Sequence, residues 1–560
     1  MHDILCRKPL KVINAQDAIN ELPRSLSLFD LICIGIGGTI GSGIFATTGD
    51  IIAKSAGPAA AISWILGGVV CSVNAFAYME LTTRVPSPGS TYAYTYHAIG
   101  EFPAVIAAWL LTLEYGISGA GVARSWADIV ESCFPVGTYH WVNMEYGSIL
   151  GAAVQASSAL ILLIGVQCSK MFVNTFTVAK VGVVIFIIIA GFIAMQPEFL
   201  TPFVPERQII DNSSFFGIQG ILSGATQAFF GYVGFDEICC LAAEAKNPNR
   251  VMPIAVIGTI LITTFLSVLA SIVLSGMIDY HDATTFESGF VNVGWKWAGT
   301  IVTIGEIITM PVVVLVGFLA QPRLNYALAC DGLFPQIFAK VDADGNMFWN
   351  TLITGIFLTL MAFAVPFSTL WDIVSFGILL SFILANSSLI LVRTRSKSPN
   401  LAPALTYGIV LCSAFAAFVL HNGYEESQTS LYLVCFIASV VLVMVLNIII
   451  CFKCPQIARN TTCFWSPLVP FLPSVSILMD WYLIAQLSMT SILLGCAWIG
   501  LGAVFYFMYG FRNASSRSNW SDVLTSGANL ESPGSLKSES LSHSYQKSED
   551  KGTIKVLRKI

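Results

Sequence analysis

The sequence predicts an all-α polytopic membrane protein of about 14 transmembrane helices. Three observations predict it. Of 560 residues, 55% are hydrophobic, above the roughly 45–50% of an ordinary soluble domain. Only 11% are charged, less than half of the usual figure of about a quarter. Mean hydropathy is +0.74, and the apolar residues gather into runs long enough to cross a bilayer core of about 30 Å. This composition excludes a water-soluble enzyme, a nucleic-acid binder and a secreted disulfide scaffold. The net charge of -5 decides little, because its distribution matters more than its sum.

Residues 1–27 are polar and carry Arg7, Lys8, Lys11 and Arg24 without a signal-peptide pattern, so the first apolar segment is expected to be retained. Fourteen segments then read as spans: 28–53, 58–82, 102–127, 146–166, 171–195, 216–244, 252–277, 299–329, 349–367, 369–393, 403–421, 431–452, 464–486 and 489–510. The third begins somewhere in 92–102. The ninth and tenth share a border within 349–393 that the pattern leaves open. Pro467, Pro470 and Pro473 interrupt the thirteenth. After about 512 the chain turns rich in Ser, Lys and Glu; it cannot bury enough apolar surface to offset chain entropy, and disorder is expected.

The positive-inside rule tests the order of spans. With the N-terminus inside, the inner segments hold the N-terminal cations, Arg84, Lys170, Lys246, Arg250, Arg323, Lys340, Arg393, Arg395, Lys397, Lys453, Arg459 and those of the tail. The outer ones hold only Lys54, Arg124, Arg207 and Lys296. Both termini are therefore expected in the cytoplasm. Asn212 begins an Asn-Ser-Ser triplet in a predicted outer loop and is a glycosylation candidate. The Asn460 triplet lies inside and is expected to be unused. The 14 cysteines are scattered, many within apolar runs, where Cys serves as a small apolar residue. Cys451 and Cys454 form a lone CxxC without a histidine pair, so neither a metal nor a cofactor is expected.

Span 1 contains Gly35-Ile36-Gly37-Gly38-Thr39-Ile40-Gly41-Ser42-Gly43. Each glycine costs a helix about 1 kcal/mol relative to alanine. Close helix packing is one explanation; an unwound segment lining a cavity is the other, and the density of glycines favours it. Span 6 repeats the pattern in Phe229-Phe230-Gly231-Tyr232-Val233-Gly234-Phe235-Asp236-Glu237. Spans 1 and 6 open two five-helix units of opposite orientation. Paired breaks at corresponding places in two halves are the sequence mark of a transporter site. Half-helix N-termini there offer N–H groups to an anion, and opposing carbonyls suit a cation. A zwitterionic α-amino acid carries both charges.

Several charges fall inside spans, where each costs about 2.5–3.5 kcal/mol on insertion scales. Lys180 lies some nine residues from the inner end of span 5, about 13 Å at helical rise, too far for one side chain to reach water. A buried lysine serves as a fixed cation or a proton carrier. Glu114 sits in span 3, Glu306 in span 8, and Asp236 with Glu237 begins the inner half of span 6. Each either joins an ion pair that holds helices together or faces a cationic group or proton path. Glu80, Glu101 and Glu244 lie near inner ends, where gating salt bridges and interfacial placement both fit.

The motifs Arg24-Ser25-Leu26-Ser27-Leu28-Phe29-Asp30, Gly37-Gly38-Thr39-Ile40-Gly41-Ser42-Gly43-Ile44-Phe45, Arg84-Val85-Pro86-Ser87-Pro88-Gly89, Val122-Ala123-Arg124-Ser125-Trp126, Gly231-Tyr232-Val233-Gly234-Phe235-Asp236, Lys246-Asn247-Pro248 and Asp331-Gly332-Leu333 resemble those of the cationic amino acid transporter family. That family belongs to the amino acid–polyamine–organocation superfamily. The resemblance covers about 24–512. It implies two inverted five-helix repeats (28–393) plus four further helices (403–510), between a cytoplasmic segment 1–27 and a tail 511–560.

The resemblance also implies site roles. The substrate carboxylate would meet the Ser42 and Gly43 amides beside Gly41. The α-ammonium would meet carbonyls of Thr39, Phe230 and Val233, with Phe230 as an aromatic lid. Lys180 would occupy the place of a sodium ion, which implies sodium independence. Glu101 matches a carboxylate that the family needs for transport. Departures leave the substrate open: the setting of Glu114 looks more like bacterial proton-coupled relatives, span 8 carries Val312, Val313, Val314 and Val316, and Asp236-Glu237 is a doubled carboxylate.

The expected activity is alternating-access transport of cationic L-amino acids, with broad or neutral specificity as the alternative. Glu114, Asp236 and Glu306 are the candidates for side-chain recognition. A proton is a candidate co-substrate, and ion-free exchange fits equally. A non-transporting amino acid sensor is the rival from another class. An enzyme is disfavoured because the six histidines lie outside the spans' interiors. The plasma membrane is expected ahead of a vacuole or lysosome, and the sequence is silent on oligomeric state.

Overall fold

The computed structural model describes residues 4 to 524, apart from 19–21, 23, 134–142, 145–146, 211–212, 343–344, 366, 395–399, 426, 460–461, 519 and 522–523. A short helix, α1 (Leu10–Ala18), precedes the first apolar segment. That segment starts on a capping box: Ser27 N–H donates to Asp30 Oδ2 at 2.8 Å, and Asp30 N–H donates to Ser27 Oγ at 3.3 Å. Two orphan donors at the helix start are thus satisfied reciprocally.

Span 1 is divided into α2 (Leu28–Thr39) and α3 (Ser42–Ile51). Span 2 is α4 (Ala60–Arg84), and α5 (Thr91–Ala98) leads to span 3. Span 3 is α6 (Glu101–Thr112), a π-helical turn at Leu113–Ile117 and α7 (Ser118–Ser132). Spans 4 and 5 are α8 (Ile149–Ile164) and α9 (Val166–Ala194). Span 6 is divided into α10 (Gly217–Phe229) and α11 (Glu237–Cys240), followed by α12 (Pro248–Ser275). After α13 (Phe286–Asn292), span 8 runs as α14 (Lys296–Thr309) and α15 (Pro311–Cys330). Then come α16 (Phe348–Ala364), α17 (Phe367–Arg393), α18 (Leu401–Phe418), α19 (Ser430–Lys453), α20 (Phe471–Ala485) and α21 (Met489–Phe505). Among the described residues the only strands form two short antiparallel hairpins.

The protein is an all-α polytopic membrane protein. By length and composition, ten helices among the described residues can cross a membrane, while α8, α16 and α20 are apolar but shorter. The thirteenth segment, expected over 464–486, is helical only from Phe471. Pro467 and Pro470 lack the N–H that a helix interior uses, so the helix starts after them.

The second helices of the two halves, α4 and α12, pack along each other, and each also packs on the first helix of the opposite half, α10 and α2 respectively. Inner and outer helices separate by burial: 83% of the apolar window of α17 and 78% of that of span 3 are buried, against 28%, 22% and 22% for α18, α19 and α21. The later helices therefore ring a core built from the earlier ones. α20 is tied inward by a polar chain. Asn74 Nδ2 donates to Asp480 Oδ1 at 2.8 Å, and Asn386 Nδ2 donates to Asn74 Oδ1 at 2.7 Å.

Glu244 and Glu80, for which gating salt bridges and interfacial placement both fit the sequence, are held in buried ion pairs. Arg323 grips Glu244 through Nε at 2.7 Å and Nη2 at 3.2 Å. Glu80 takes Arg393 at 2.5 Å and Arg84 at 2.7 Å, with the Trp465 ring 3.4 Å from the Arg393 guanidinium. Asp30 takes Lys170 at 2.8 Å and Asn174 at 2.7 Å, which fixes the start of α9 beside the start of α2.

Order continues past the expected tail boundary at 511. Residues Phe511–Asn513 and Ser515–Ser518 are helical, and Ser516 and Trp520 are buried. Residues 525–560, where the rest of the expected disordered tail falls, lie outside the described residues.

Candidate functional site

The first break occupies Ile40 and Gly41. Thr39 closes α2 by donating its hydroxyl to Gly35 O at 2.9 Å, and it meets Thr263 Oγ1 of α12 at 2.9 Å. Ile40 is extended, at φ -80° and ψ 101°. α3 then restarts at Ser42 with no side-chain cap. Its first intrahelical bond is Phe45 N–H to Gly41 O at 3.0 Å, so the Ser42, Gly43 and Ile44 amides precede that bond and have no intrahelical acceptor, the arrangement that suits an anion.

The second break runs from Phe230 to Asp236. A 3-10 turn (Phe230–Tyr232) follows α10, and the chain is non-helical until Glu237. Gly234 sits at φ +116°, a conformation that L side chains rarely adopt. Tyr232 anchors the turn by donating to Trp64 O at 2.7 Å, and Phe235 packs against Tyr78 and Phe382.

The two breaks touch through backbone. A Cβ placed on Gly43 would lie 2.2 Å from Gly231 Cα, and one on Gly234 would lie 3.2 Å from Gly38 C. Only glycine permits this approach. Gly41 is held by span 8 instead: its Cβ would lie 2.5 Å from Val313 Cγ2. Between the breaks is a cavity of about 20 Å³, lined by Thr39, Gly43, Ser118, Val233, Glu237 and Val313 among others. That is room for a water molecule, so the walls must part to admit an amino acid.

Lys180 is fully buried on α9, and its Nζ donates to Gly37 O at 3.0 Å, two residues before the end of α2. An ammonium thus meets a carbonyl beside the first break.

The predicted carboxylates separate into three settings. Glu114 is buried in the π-helical turn, and Asp236 Oδ2 accepts from Tyr115 Oη at 3.4 Å. Asp236 was expected to bind substrate, yet Glu237, not Asp236, lines the cavity. Glu306 is buried on α14 with Glu287 as its charged neighbour, and it does not line the cavity.

Glu101, expected to gate or to recognise the side chain, does not line the cavity. Its carboxylate accepts from Tyr96 Oη at 3.0 Å, Tyr506 Oη at 2.7 Å and the Ser516 hydroxyl, and it lies 3.5 Å from Arg517. It therefore holds the segment after α21 against the start of α6. Ser42 restarts the helix just after the first break and Phe230 opens the second; the Ser42 and Phe230 side chains and Asn212 lie outside the described residues.

Sequence comparison agrees with this geometry. A family model described as amino acid permease matches residues 26–441, and one described as the C-terminus of AA_permease matches 464–514. The chain belongs to the amino acid permease family. Relatives of this permease include the methylthioribose transporter of Bacillus subtilis (strain 168), 34% identical over 70% of this chain and 87% of that protein. Cationic amino acid transporter 4 of Mus musculus is 28% identical over 90% of this chain and 89% of its own length. Cationic amino acid transporter 1 of Arabidopsis thaliana is 29% identical over 88% and 83% respectively. The resemblance to the cationic amino acid transporter family, within the amino acid–polyamine–organocation superfamily, is borne out.

Two features of the permease site escaped the sequence reading. Ser118 and Gly119 line the cavity just after the π-helical turn, and Gly317 faces them from α15. Their signal was present as small residues clustered one turn beyond a buried carboxylate. The inward aim of Glu237 had no signal, because the irregular turn before it breaks helical phase.

Proposed function

We propose that this permease is a sodium-independent carrier of cationic L-amino acids working by alternating access. The carrying observation is the bond from Lys180 Nζ to Gly37 O beside the first break. A side-chain ammonium in that place supplies the charge that a bound sodium ion would otherwise bring. The α-carboxylate binds the free amides of Ser42 and Gly43, and the α-ammonium binds carbonyls of Thr39, Phe230 and Val233. Gly41 lets span 8 close on the break. Phe230 acts as the lid. Glu114 and Asp236, which do not line the cavity, pass a proton if one is carried, with Glu306 as a more distant acid.

Substrate moves the carrier only by binding one state more tightly than another. The closed cavity sets that requirement, since binding energy must part its walls. A proton is the co-substrate if coupling exists. The carrier has fourteen spans and cytoplasmic termini, is glycosylated at Asn212 and resides in the plasma membrane. A second reading, broad or neutral specificity, is favoured by Val313 in the cavity wall.

The test is uptake of labelled arginine and leucine into proteoliposomes, with sodium or choline outside and with or without an inward proton gradient. Saturable arginine uptake, weakly inhibited by leucine and unchanged by sodium, is expected. Leucine preferred over arginine transfers the conclusion to the second reading. Binding without uptake makes the chain a sensor. Proton stimulation present in the wild type and lost in Lys180→Met assigns coupling to Lys180.

A further inference from the structure

We infer that Glu237 is the residue that selects the substrate's distal group, accepting a cationic side chain within the cavity between the breaks. The inference rests on the amino acid transport reading above and deepens it.

Three carboxyl groups lie close to the second break, and their surroundings differ. Asp236 Oδ2 accepts from Tyr115 Oη, and Asp236 does not line the cavity. Glu114 lies behind it in the π-helical turn. Glu237 alone of the three lines the cavity. Its residue is 4% exposed, and its Oε2 is buried without a hydrogen-bond partner among the described residues.

Glycines give this carboxylate its place. A Cβ on Gly38 of α2 would lie 3.3 Å from Glu237 Oε2, and one on Gly317 of α15 would lie 3.7 Å from Oε1. The carboxylate therefore lies between spans 1 and 8, over backbone that no side chain covers. Burying an acid group with an unmet acceptor is costly. A donor delivered by the ligand removes that cost, and a guanidinium or ammonium delivers the most. The facing wall holds Val122 and Val313, which suit the aliphatic stem that carries such a group. The valine-rich face of span 8, which argues against a charged ligand when read by itself, becomes the stem's wall once Glu237 faces it.

The test compares arginine with citrulline, which replaces the guanidinium by an uncharged ureido group of nearly the same shape. Uptake of each is measured in proteoliposomes of the full chain and of Glu237→Gln. The expected result is a fall in the arginine-to-citrulline ratio of kcat/KM by about ten- to a hundredfold, the range for loss of a hydrogen bond to a charged group. A ratio within about twofold of wild type overturns the assignment. Should Glu237→Gln fail to fold, Glu237→Asp is read in the same assay. Arginine kept ahead of citrulline supports the assignment, and equal handling of the two overturns it. Wild-type protein that takes up neither arginine, citrulline nor leucine defeats the underlying transport reading. Transport by the wild type with an unaltered ratio in the variant defeats only the role of Glu237.

Discussion

Gly43 and Gly231 meet backbone against backbone: a methyl group on the first would fall 2.2 Å from the Cα of the second. Neither neighbour is the tip of a flexible side chain, so neither can swing away. Gly43→Ala is expected to abolish uptake and to lower stability by about 1–3 kcal/mol, the usual cost of overpacking. Gly182→Ala on α9 is the control, with open space around its Cβ. It is expected to leave uptake intact and to raise stability by up to about 1 kcal/mol through helix propensity. Thermal unfolding in detergent with parallel uptake assays checks both. Equal behaviour of the two variants would refute the close-approach account.

Glu101 joins the end of the chain to the start of span 3. Glu101→Ala leaves the Tyr96, Tyr506 and Ser516 hydroxyls without their acceptor. Each is buried, so a loss of at least about 2 kcal/mol is expected. Arg517 adds less, because its Nη2 stands 3.5 Å from the carboxylate and makes no hydrogen bond to it. Limited proteolysis should cleave between residues 511 and 521 far sooner in the variant than in the wild type. Unchanged cleavage kinetics would show that the segment is held by other contacts.

The Arg323–Glu244 pair is 1% exposed on both sides. Glu244→Ala strands a buried guanidinium and is expected to cost about 3–5 kcal/mol. The double variant Arg323→Met/Glu244→Leu removes both charges and is expected to recover most of that loss. A double-mutant cycle on unfolding free energy measures the coupling. Additive losses would mean that the two residues act independently.

His97 offers a pH test outside the spans. Burial lowers its pKa from 6.5, against the opposing pull of its contact with Lys8 O. The folded state therefore binds fewer protons than the unfolded state near and below pH 6.5. Stability must fall as pH drops through that value, because protonation favours the unfolded chain. Unfolding temperatures from pH 8 to pH 5.5 should decline more steeply for the wild type than for His97→Gln. Parallel curves would exclude His97 as the cause.

Helix existence and the two breaks were legible in the sequence, because both rest on local chemistry. The glycine run at 35–43 destabilises a helix wherever it sits, and the apolar runs must avoid water. The aim of individual carboxylates was not legible. Asp236 and Glu237 are adjacent, and the turn before them is irregular, so no helical period says which faces inward; only its approach to Gly38 and Gly317 reveals Glu237. Glu101 was legible as a special acid but not as an anchor. Its partners Tyr506 and Ser516 are 405 and 415 residues away in sequence, beyond any local pattern. The start of α20 was misplaced because a proline marks a helix boundary without saying on which side the helix lies.

Asp331 gathers the segment before span 1 and the segment after α21. Its carboxylate takes Lys8 Nζ at 2.6 Å, Gln16 at 3.0 Å and Tyr92 Oη at 2.7 Å, while its carbonyl accepts from Ser515 N–H at 2.9 Å. Fluorophores attached near residues 5 and 518 would sit on the same face of the molecule, within reach of efficient energy transfer. Any cycle step that frees one end from this carboxylate would register as a loss of transfer, with no label placed on the moving helices themselves. The convergence at one aspartate makes these two flanking segments a gauge of the conformational cycle.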